Sequence, residues 1–531
     1  MGIFISVPKT IECIAVAVVL ALLLSGCCYR LLGILQSLGY GGKKFFKWAG
    51  RADNMTLSRH VLLTIICALS SAVLGLCFSF AGEYAGLCSL AAFALFLPLY
   101  IWADNRVALK VPLSFTPRLK RLYAALVLII AIFAYIAVTL LNFADFVWGN
   151  AVFSVLRYVP LSVFGLLLLP LVAFANLVSK IYEIPRNRGF IKKATAKLKN
   201  SRIKVVGITG SYGKTSVKHI LAEILSKKYR VLATPRSHNT PLGLALTINN
   251  NDLNEYDILI AEMGARHVGD IAELCRICPP EIAVITGICP QHLESFGTVE
   301  NIVSAKGEIL QSCKTAVIAE DCIKLFTDYT CEKLTAAEVS GVESSAEGCS
   351  FTLGINGEKV NAHTKLLGEH SAYNIALAAQ VASLLGMKAA DIAAAIPQID
   401  YIEHRLQLIK SGGISVLDDG YNSNVRGAAA AISALKKFGG KKIVVTPGLV
   451  ELGVLEKSEN YALGGELVGL DFVILVGERL VEPVKQGYLE KGGDPEKLKV
   501  VLGLEAAKAE LQKVIGQGDA VLFLNDLPDA Y

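Results

Sequence analysis

Charge is scarce in this chain. Of its 531 residues, 18% are Asp, Glu, Lys or Arg and 53% are hydrophobic, where a soluble globular chain carries about 25% charge. That excludes a wholly water-soluble molecule. The apolar excess lies before about residue 180, so a membrane segment is joined to a soluble one. The net charge of +6 is modest and much of it flanks the apolar stretches, which reads as membrane topology rather than nucleic-acid binding. A disulfide framework is lacking as well. Thirteen cysteines are scattered through both halves, as suits reduced use in a cytoplasm. Cys275-Arg276-Ile277-Cys278 has metal-type spacing, but no second Cys or His pair follows at a suitable distance. Both cysteines therefore read as packing residues on a helix end.

Five apolar stretches reach the roughly 20 residues a span needs: 11–29, 61–80, 86–103, 122–141 and 155–175. Residues 30–60 carry Arg30, Lys43, Lys44, Lys47, Arg51 and Arg59; residues 104–121 carry Arg106, Lys110, Arg118, Lys120 and Arg121. After the fifth stretch come Lys180, Arg186, Arg188, Lys192, Lys193, Lys197 and Lys199, while the other two loops carry Glu83 and Asp145. The positive-inside rule then gives five crossings with the N-terminus outside and the soluble half in the cytoplasm. Trp48, Trp102, Tyr123 and Trp148 stand near span ends as interfacial anchors. Span interiors lack the ionisable pairs that mark ion or proton paths; Glu12 and Arg157 lie near span ends. Leu24-Ser25-Gly26-Cys27 looks like a lipoprotein cleavage site, but cleavage there would put a basic loop outside, and Glu12 interrupts the signal core. Met1-Gly2-x-x-x-Ser6 matches a myristoylation pattern that belongs to another cellular setting.

The soluble half is organised around 205–218. An apolar β-branched run, Val205–Ile208, enters Gly210-Ser211-Tyr212-Gly213-Lys214-Thr215-Ser216, and a helical pattern follows. Such a turn cradles phosphate with backbone N–H groups and a helix N-terminus; the lysine adds a point charge and the hydroxyl can hold Mg²⁺. The common P-loop wants a glycine five residues before the second one, and that position is Ile208. The spacing that fits is the tighter Gly-x-x-Gly-Lys-Thr-Ser.

Further on, the apolar run 256–261 ends in Glu262-Met263-Gly264, where a carboxylate at a strand end beside a phosphate loop can hold Mg²⁺ or simply stand in solvent. The run 282–285 leads to His292, in a loop past a strand end where open α/β sheets put ligands. Lys306 lies within the next helix, a place where a lysine normally faces solvent. Gly368-Glu369-His370 and Asn374 open an Ala-rich helix; His404-Arg405-Leu406 precedes a strand at 414–417 that ends in Asp418-Asp419-Gly420-Tyr421-Asn422-Ser423-Asn424. Strand runs at 442–446, 472–476, 499–502 and 520–524 complete a second unit. The expected fold is an α-helical membrane domain of about five transmembrane helices over 1–183, then α/β. A P-loop-type ATPase domain with a mostly parallel sheet covers 184–398, and a C-terminal Rossmann-like α/β domain covers 399–531.

In this order the motifs resemble those of the Mur ligases: the 210–216 cradle, Asn239-Thr240-Pro241-Leu242-Gly243, Glu262-Met263-Gly264, His292-Leu293-Glu294-x-Phe296-Gly297, Ala305-Lys306-Gly307-Glu308, Gly368-x-His370 with Asn374, Arg405-Leu406, Asp418-Asp419-x-Tyr421-Asn422-x-Asn424 and Glu451-Leu452-Gly453. The resemblance covers about 200–531 and is strongest to members that add D-Ala-D-Ala to a UDP-linked muramoyl tripeptide. It implies an ATP- and Mg²⁺-dependent peptide-bond ligase of peptidoglycan synthesis at the bacterial plasma membrane. The partners implied are a muramyl-peptide precursor, an amino acid or dipeptide and the lipid bilayer. It implies that Gly210, Ser211, Gly213, Lys214, Thr215 and Ser216 cradle ATP, with Lys214 on the β/γ-phosphates. Thr215, Glu262 and His292 would organise Mg²⁺, and Lys306 would take the place of a carbamylated lysine on a second Mg²⁺. Asn374 would reach the adenine side, and Arg405 and Asp419 would contact ATP. Asn239, Thr240, Tyr421, Asn422 and Asn424 would bind substrate; Lys214, His292 and Lys306 would be catalytic. Gly420 and Val425 replace the small polar residue and the proline usual in that motif. The family's UDP-sugar-binding domain is expected to be replaced by the membrane domain, which leaves open a lipid-linked or other carboxylate acceptor.

Two readings from other classes compete. An ATP-driven transporter would show an intramembrane polar path and a Leu-Ser-Gly-Gly-Gln stretch, and the sequence has neither. A non-catalytic scaffold would not need Lys214, Glu262, His292 and Lys306 intact.

Overall fold

The structure, a computed structural model, describes residues 7–50, 56–106, 112–148, 150–235, 238–421, 424–478 and 480–525. Met1, Gly2, Ser6, Arg51, Lys110 and Asn422, which the sequence reading singled out, lie outside the described residues. The described residues divide into two compact units, one up to Arg186 and one from Asn187 onward.

The first unit is helical. Five segments are long and apolar enough to cross a membrane by length and composition: Lys9–Cys27, Thr56–Cys77, Ala85–Asn105, Pro117–Trp148 and Ala151–Lys199. Their outward faces carry bare Leu, Val, Ile and Phe such as Leu69, Val73, Leu128 and Leu140. The third and fifth are less regular than a single span. The third breaks at Leu90 between Ala85–Ser89 and Ala91–Asn105. The fifth starts as Ala151–Leu156, passes through a 3₁₀ turn Val159–Val163 and resumes as Phe164–Lys199. Pro160 lacks the N–H that a continuous helix would need there.

The basic stretch after the first apolar helix is not a plain loop. It forms helices Tyr29–Ser37 and Gly42–Ala49, whose Leu32, Leu35, Phe45 and Trp48 join the core of this unit. Trp48 is therefore buried, stacked on Phe45 with ring centroids 6.2 Å apart, and is not an interfacial anchor. Trp102 and Trp148 are exposed as expected. Ionisable side chains pair with one another: Arg59 with Asp104 at 3.2 Å, Arg157 with Asp145 at 2.9 Å, and Arg121 near the start of its helix with Glu183 within Phe164–Lys199 at 2.6 Å.

The second unit holds three sheets. Strands β1 Lys204–Thr209, β2 Val231–Ala233, β3 Ile258–Glu262, β4 Ile282–Ile285, β5 Thr315–Ile318 and β6 Glu332–Thr335 form a parallel sheet in the order β2-β3-β1-β4-β5-β6. The near-continuous Val, Ile, Leu and Ala of β1 to β5 reflect burial on both faces, while the edge strand β6 is polar and partly exposed. β7 Glu338–Ser345, β8 Gly348–Ile355 and β9 Glu358–Thr364 form an antiparallel meander that the motif reading did not anticipate. β7 alternates exposed and half-buried residues with little hydrophobic signal.

The last sheet takes β10 Gln407–Ser411, β11 Ile414–Asp419, β12 Lys442–Thr446, β13 Phe472–Val476, β14 Leu498–Val501 and β15 Ala520–Leu524 in the order β10-β11-β15-β12-β13-β14. It is parallel except for β10, which turns back on β11 through Gly412-Gly413. The loops past the carboxyl ends of β1, β3, β4 and β11 supply the polar residues described next.

Candidate active site

The cradle forms where β1 stops. Gly210 has φ +146° and Gly213 has φ +75°, backbone that a β-carbon resists, and a Cβ on Gly213 would come within 2.9 Å of the Asn374 amide oxygen. Gly213 caps the helix Lys214–Leu225. The turn is tied to the neighbouring strand end by Ser211 N–H to the Gly287 carbonyl at 2.8 Å and by the Thr286 hydroxyl on the Tyr212 carbonyl. Lys214 donates to the Gly210 and Ser211 carbonyls at 2.7 and 3.4 Å, so its ammonium lies inside the loop. Burial pulls its pKa down, and the Glu262 carboxylate opposes that.

Glu262 lies beside the cradle because β3 pairs with β1 in a register that places Ile208 opposite it. It is 1% exposed. Thr215 Oγ1 and Asn239 Nδ2 each donate to it at 3.1 Å, and Lys218 Nζ approaches to 2.9 Å. Burial pushes the carboxyl pKa up, but the ammoniums of Lys218 and Lys214 outweigh it and hold the group below its ordinary range. A buried carboxylate touching a hydroxyl beside a phosphate loop matches the one or two carboxylates plus phosphate oxygens that Mg²⁺ uses. The donor set fits that ion. Among the described residues no cluster of three His, Cys, Asp or Glu could hold a metal without the nucleotide.

His292 and Lys306 reach the same cavity, of about 500 Å³, as do Ser211, Ser216, Asn239, Thr240, Arg266, Arg405, Tyr421 and Asn424. His292 sits in left-handed backbone at φ +53° and bonds through Nδ1 to Glu451, itself at φ +60°. Burial draws the imidazole pKa down while Glu451 pulls it up. Arg266 adds a second contact to Glu451 at 3.3 Å. Lys306 does not face solvent. It is 3% exposed, its ammonium 5.7 Å from the Phe296 ring centroid, and burial with the Lys214 charge drives its pKa well below the ordinary value. Glu308 has a structural duty. Its carboxylate accepts from Gly269 N–H at 2.5 Å and Ala272 N–H at 2.8 Å at the start of the helix Asp270–Ile277. Cys275 on that helix and Cys278 just past its end are buried.

A second cavity, of about 810 Å³, opens on the other side of Tyr212 and Gly213. Asn374, His370 and Tyr373 line it from the helix His370–Leu384, and Arg405, Asp419, Asn424 and Arg426 from the last α/β domain. Arg405 donates to the Tyr421 carbonyl at 2.7 Å, and Asp419 accepts from Leu406 N–H at 3.1 Å. Burial raises the Asp419 carboxyl to about 7, with Arg405 opposing. Thr240 and Asn424 already serve as helix N-caps, accepting from Gly243 N–H at 3.3 Å and Gly427 N–H at 3.0 Å.

Every expected site residue within the described part thus lines one cavity or the other, apart from Gly210, the hinge of the cradle itself. Sequence reasoning missed Lys218, Arg266, Asp321 and Arg426, and gave Glu451 no role. Lys218 had a signal: four residues after Lys214, it shares a helix face with it.

A tight phosphate cradle, a buried carboxylate beside it and a second α/β domain lining the same cavities define a P-loop-type nucleotide-dependent enzyme. The chain belongs to the Mur ligase family. Residues 208–382 match the Mur ligase middle domain and 404–525 the Mur ligase, glutamate ligase domain. The UDP-N-acetylmuramoyl-tripeptide–D-alanyl-D-alanine ligase of Mycobacterium tuberculosis (strain ATCC 25618 / H37Rv) is 31% identical over 368 residues, 62% of this chain and 71% of that protein. Its counterpart in Bacillus subtilis (strain 168) is 32% identical over 284 residues, 51% of this chain and 62% of that protein. MurF ligase from Thermotoga maritima in complex with ADP superposes with a TM-score of 0.59 at 29% identity, covering 65% of this chain and 81% of that one. MurF from Acinetobacter baumannii gives 0.58 at 25%, covering 64% and 77%. The chain thus spans about two thirds of the length of its curated relatives.

Proposed function

We propose that this chain is an ATP-dependent ligase that joins D-alanyl-D-alanine to the terminal carboxylate of UDP-N-acetylmuramoyl-tripeptide. The observation that carries this reading is the convergence of Lys214, Glu262, His292 and Lys306 on one cavity beside the cradle, in a chain whose relatives bear that activity in their names. The acceptor carboxylate attacks the γ-phosphorus of ATP, ADP leaves, and an acyl phosphate forms. The dipeptide amine then attacks the acyl carbon, loses a proton, and phosphate leaves as the C–N bond is made. Such chemistry asks for charge neutralisation and positioning rather than a covalent nucleophile.

Lys214 holds the β/γ-phosphates and swings from the Gly210 carbonyl to do so. Thr215 and Glu262, with His292 nearby, hold Mg²⁺, which when bound supplies charge neutralisation on the phosphoryl oxygens. Burial and the Lys214 charge shift Lys306 toward the neutral amine, the form that adds CO₂ and loses a proton to give a carbamate, and its enclosure beside the cradle suits a carbamylated second-metal residue. Asn374, Arg405 and Asp419 hold the nucleoside side, and Asn239, Tyr421 and Asn424 border the substrates. The domain limits that go with this reading are 1–183, 184–398 and 399–531.

The five apolar helices support a multi-pass anchor in a bacterial plasma membrane, N-terminus outside and ligase domains in the cytoplasm. They also favour a second acceptor, a lipid-linked muramyl peptide, because anchoring raises the enzyme's concentration near such a substrate. Phosphate release by detergent-solubilised protein with ATP and Mg²⁺ separates the two. Turnover with UDP-N-acetylmuramoyl-tripeptide and D-Ala-D-Ala is the expected result. Turnover with the lipid-linked acceptor alone would replace the first reading by the second, and silence with both would leave a scaffold.

A further inference from the structure

Arg426 occupies the first turn of the helix Val425–Leu435 in the last domain. It is met by two residues of the preceding domain, Tyr212 inside the cradle and Asp321 just past β5. Arg426 Nη1 donates to the Tyr212 hydroxyl at 2.8 Å and to Asp321 Oδ2, and the Tyr212 hydroxyl donates to the same Asp321 oxygen at 3.0 Å. The guanidinium carbon lies 5.5 Å from the Tyr212 ring centroid. All three residues line the 810 Å³ cavity, with Asn374 and Arg405.

One nitrogen makes both contacts. Among the described residues Nε and Nη2 have no hydrogen-bond partner, and the side chain stays 54% exposed. A guanidinium anchored at one corner keeps a planar pair of N–H groups for a bidentate acceptor. The cavity it lines is also lined by Tyr212, Gly213 and Ser216 of the cradle, so a nucleotide whose nucleoside side lies against Asn374 and Asp419 passes its phosphates along that wall. A carboxylate and a phenol on one corner therefore hold the guanidinium beside the cradle residue Tyr212 and leave its other edge open to the cavity.

We propose that Arg426 is a nucleotide-binding residue supplied by the C-terminal domain, which takes a phosphate oxygen of the nucleotide while Asp321 and Tyr212 orient its guanidinium. This rests on the reading of the cradle as an ATP site.

The test is isothermal titration of the full chain in detergent with ADP and, separately, adenosine. Arg426→Ala is expected to weaken ADP by about tenfold or more, the scale of one charged hydrogen-bond pair, and to leave adenosine within about twofold. Arg426→Lys, a point charge without the fork, is expected to recover part of the loss. Asp321→Asn is expected to weaken ADP less than Arg426→Ala, and the double variant to be no worse than Arg426→Ala alone. Unchanged ADP affinity in Arg426→Ala would overturn the proposal and show a plain interdomain contact. An equal loss for adenosine and ADP would move the contact to the ribose or base and overturn it too. If Lys214→Ala loses ADP where Arg426→Ala does not, the ATP site stands and the Arg426 assignment falls. A wild-type chain that binds no ADP would remove both.

Discussion

Lys214 shows how much a single side chain carries. Its ammonium rests on two carbonyls of its own loop, and in the proposed mechanism its removal takes a fixed cation away from the transferring phosphoryl. Lys214→Ala is expected to lower phosphate release by at least about 10²–10³ while membrane insertion, followed by fractionation, stays normal. Full activity in that variant would remove the cradle from the mechanism. Asp419 gives a pH signature. Its carboxyl is raised by burial to about 7 from an ordinary 3.8, Arg405 opposing. Between those values the folded chain binds the proton and the unfolded chain does not, so this group's contribution to stability is present at low pH and is lost as pH rises through about 7. The Tm of wild type relative to Asp419→Asn is expected to rise as pH falls through that window. A difference that is flat with pH would mean that the carboxyl is ionised throughout.

At the scale of elements, the loop after β12 is built to present Glu451. Gly448 takes φ +92° and Glu451 φ +60°, and the side chain of Asn460, fully buried, donates to the Leu449 and Glu456 carbonyls and accepts from Leu449 N–H, each at 2.8 Å. Left-handed backbone at a non-glycine residue costs about 1–3 kcal/mol, and it persists because those bonds fix the loop. Asn460→Ala leaves the buried N–H and carbonyl of Leu449 without partners, at about 1–3 kcal/mol. The expected outcome is a lower Tm and, because Glu451 then bonds His292 less often, a lower kcat. A drop in Tm with kcat unchanged would separate the loop from the site. The motif Glu451-Leu452-Gly453 was visible in the chain, but its partner was not. His292 lies 159 residues away, and only the docking of the two domains brings them together.

For the whole molecule, composition divides the chain better than any local pattern. The basic residues cluster in the segments after the first, third and fifth apolar stretches, so moving those segments outward would work against the charge asymmetry. Reporter fusions at residues near 50 and 115 and at the C-terminus are expected to score cytoplasmic, and fusions near 83 and 148 to score external. An opposite pattern would invert the topology and take the ligase domains away from cytoplasmic ATP.

What the sequence determined by itself is local and covalent in range. Apolar run lengths gave the five apolar helical segments, and β-branched runs gave β1, β3, β4 and β11 to β15 with the loops at their carboxyl ends, while β2, β5, β6 and β10 were not singled out. The spacing Gly-x-x-Gly-Lys-Thr-Ser gave the cradle, because each of these depends on neighbours within one turn or one strand. The meander β7–β9, whose first strand is too polar to announce itself, needed its partners to be seen. So did the burial of Trp48 and Lys306. The pairing of Glu262 with Lys218, of His292 with Glu451 and of Arg426 with Tyr212 and Asp321 was decided only by tertiary structure. Strand register and domain docking set those distances, and neither is encoded within reach of the residues it joins.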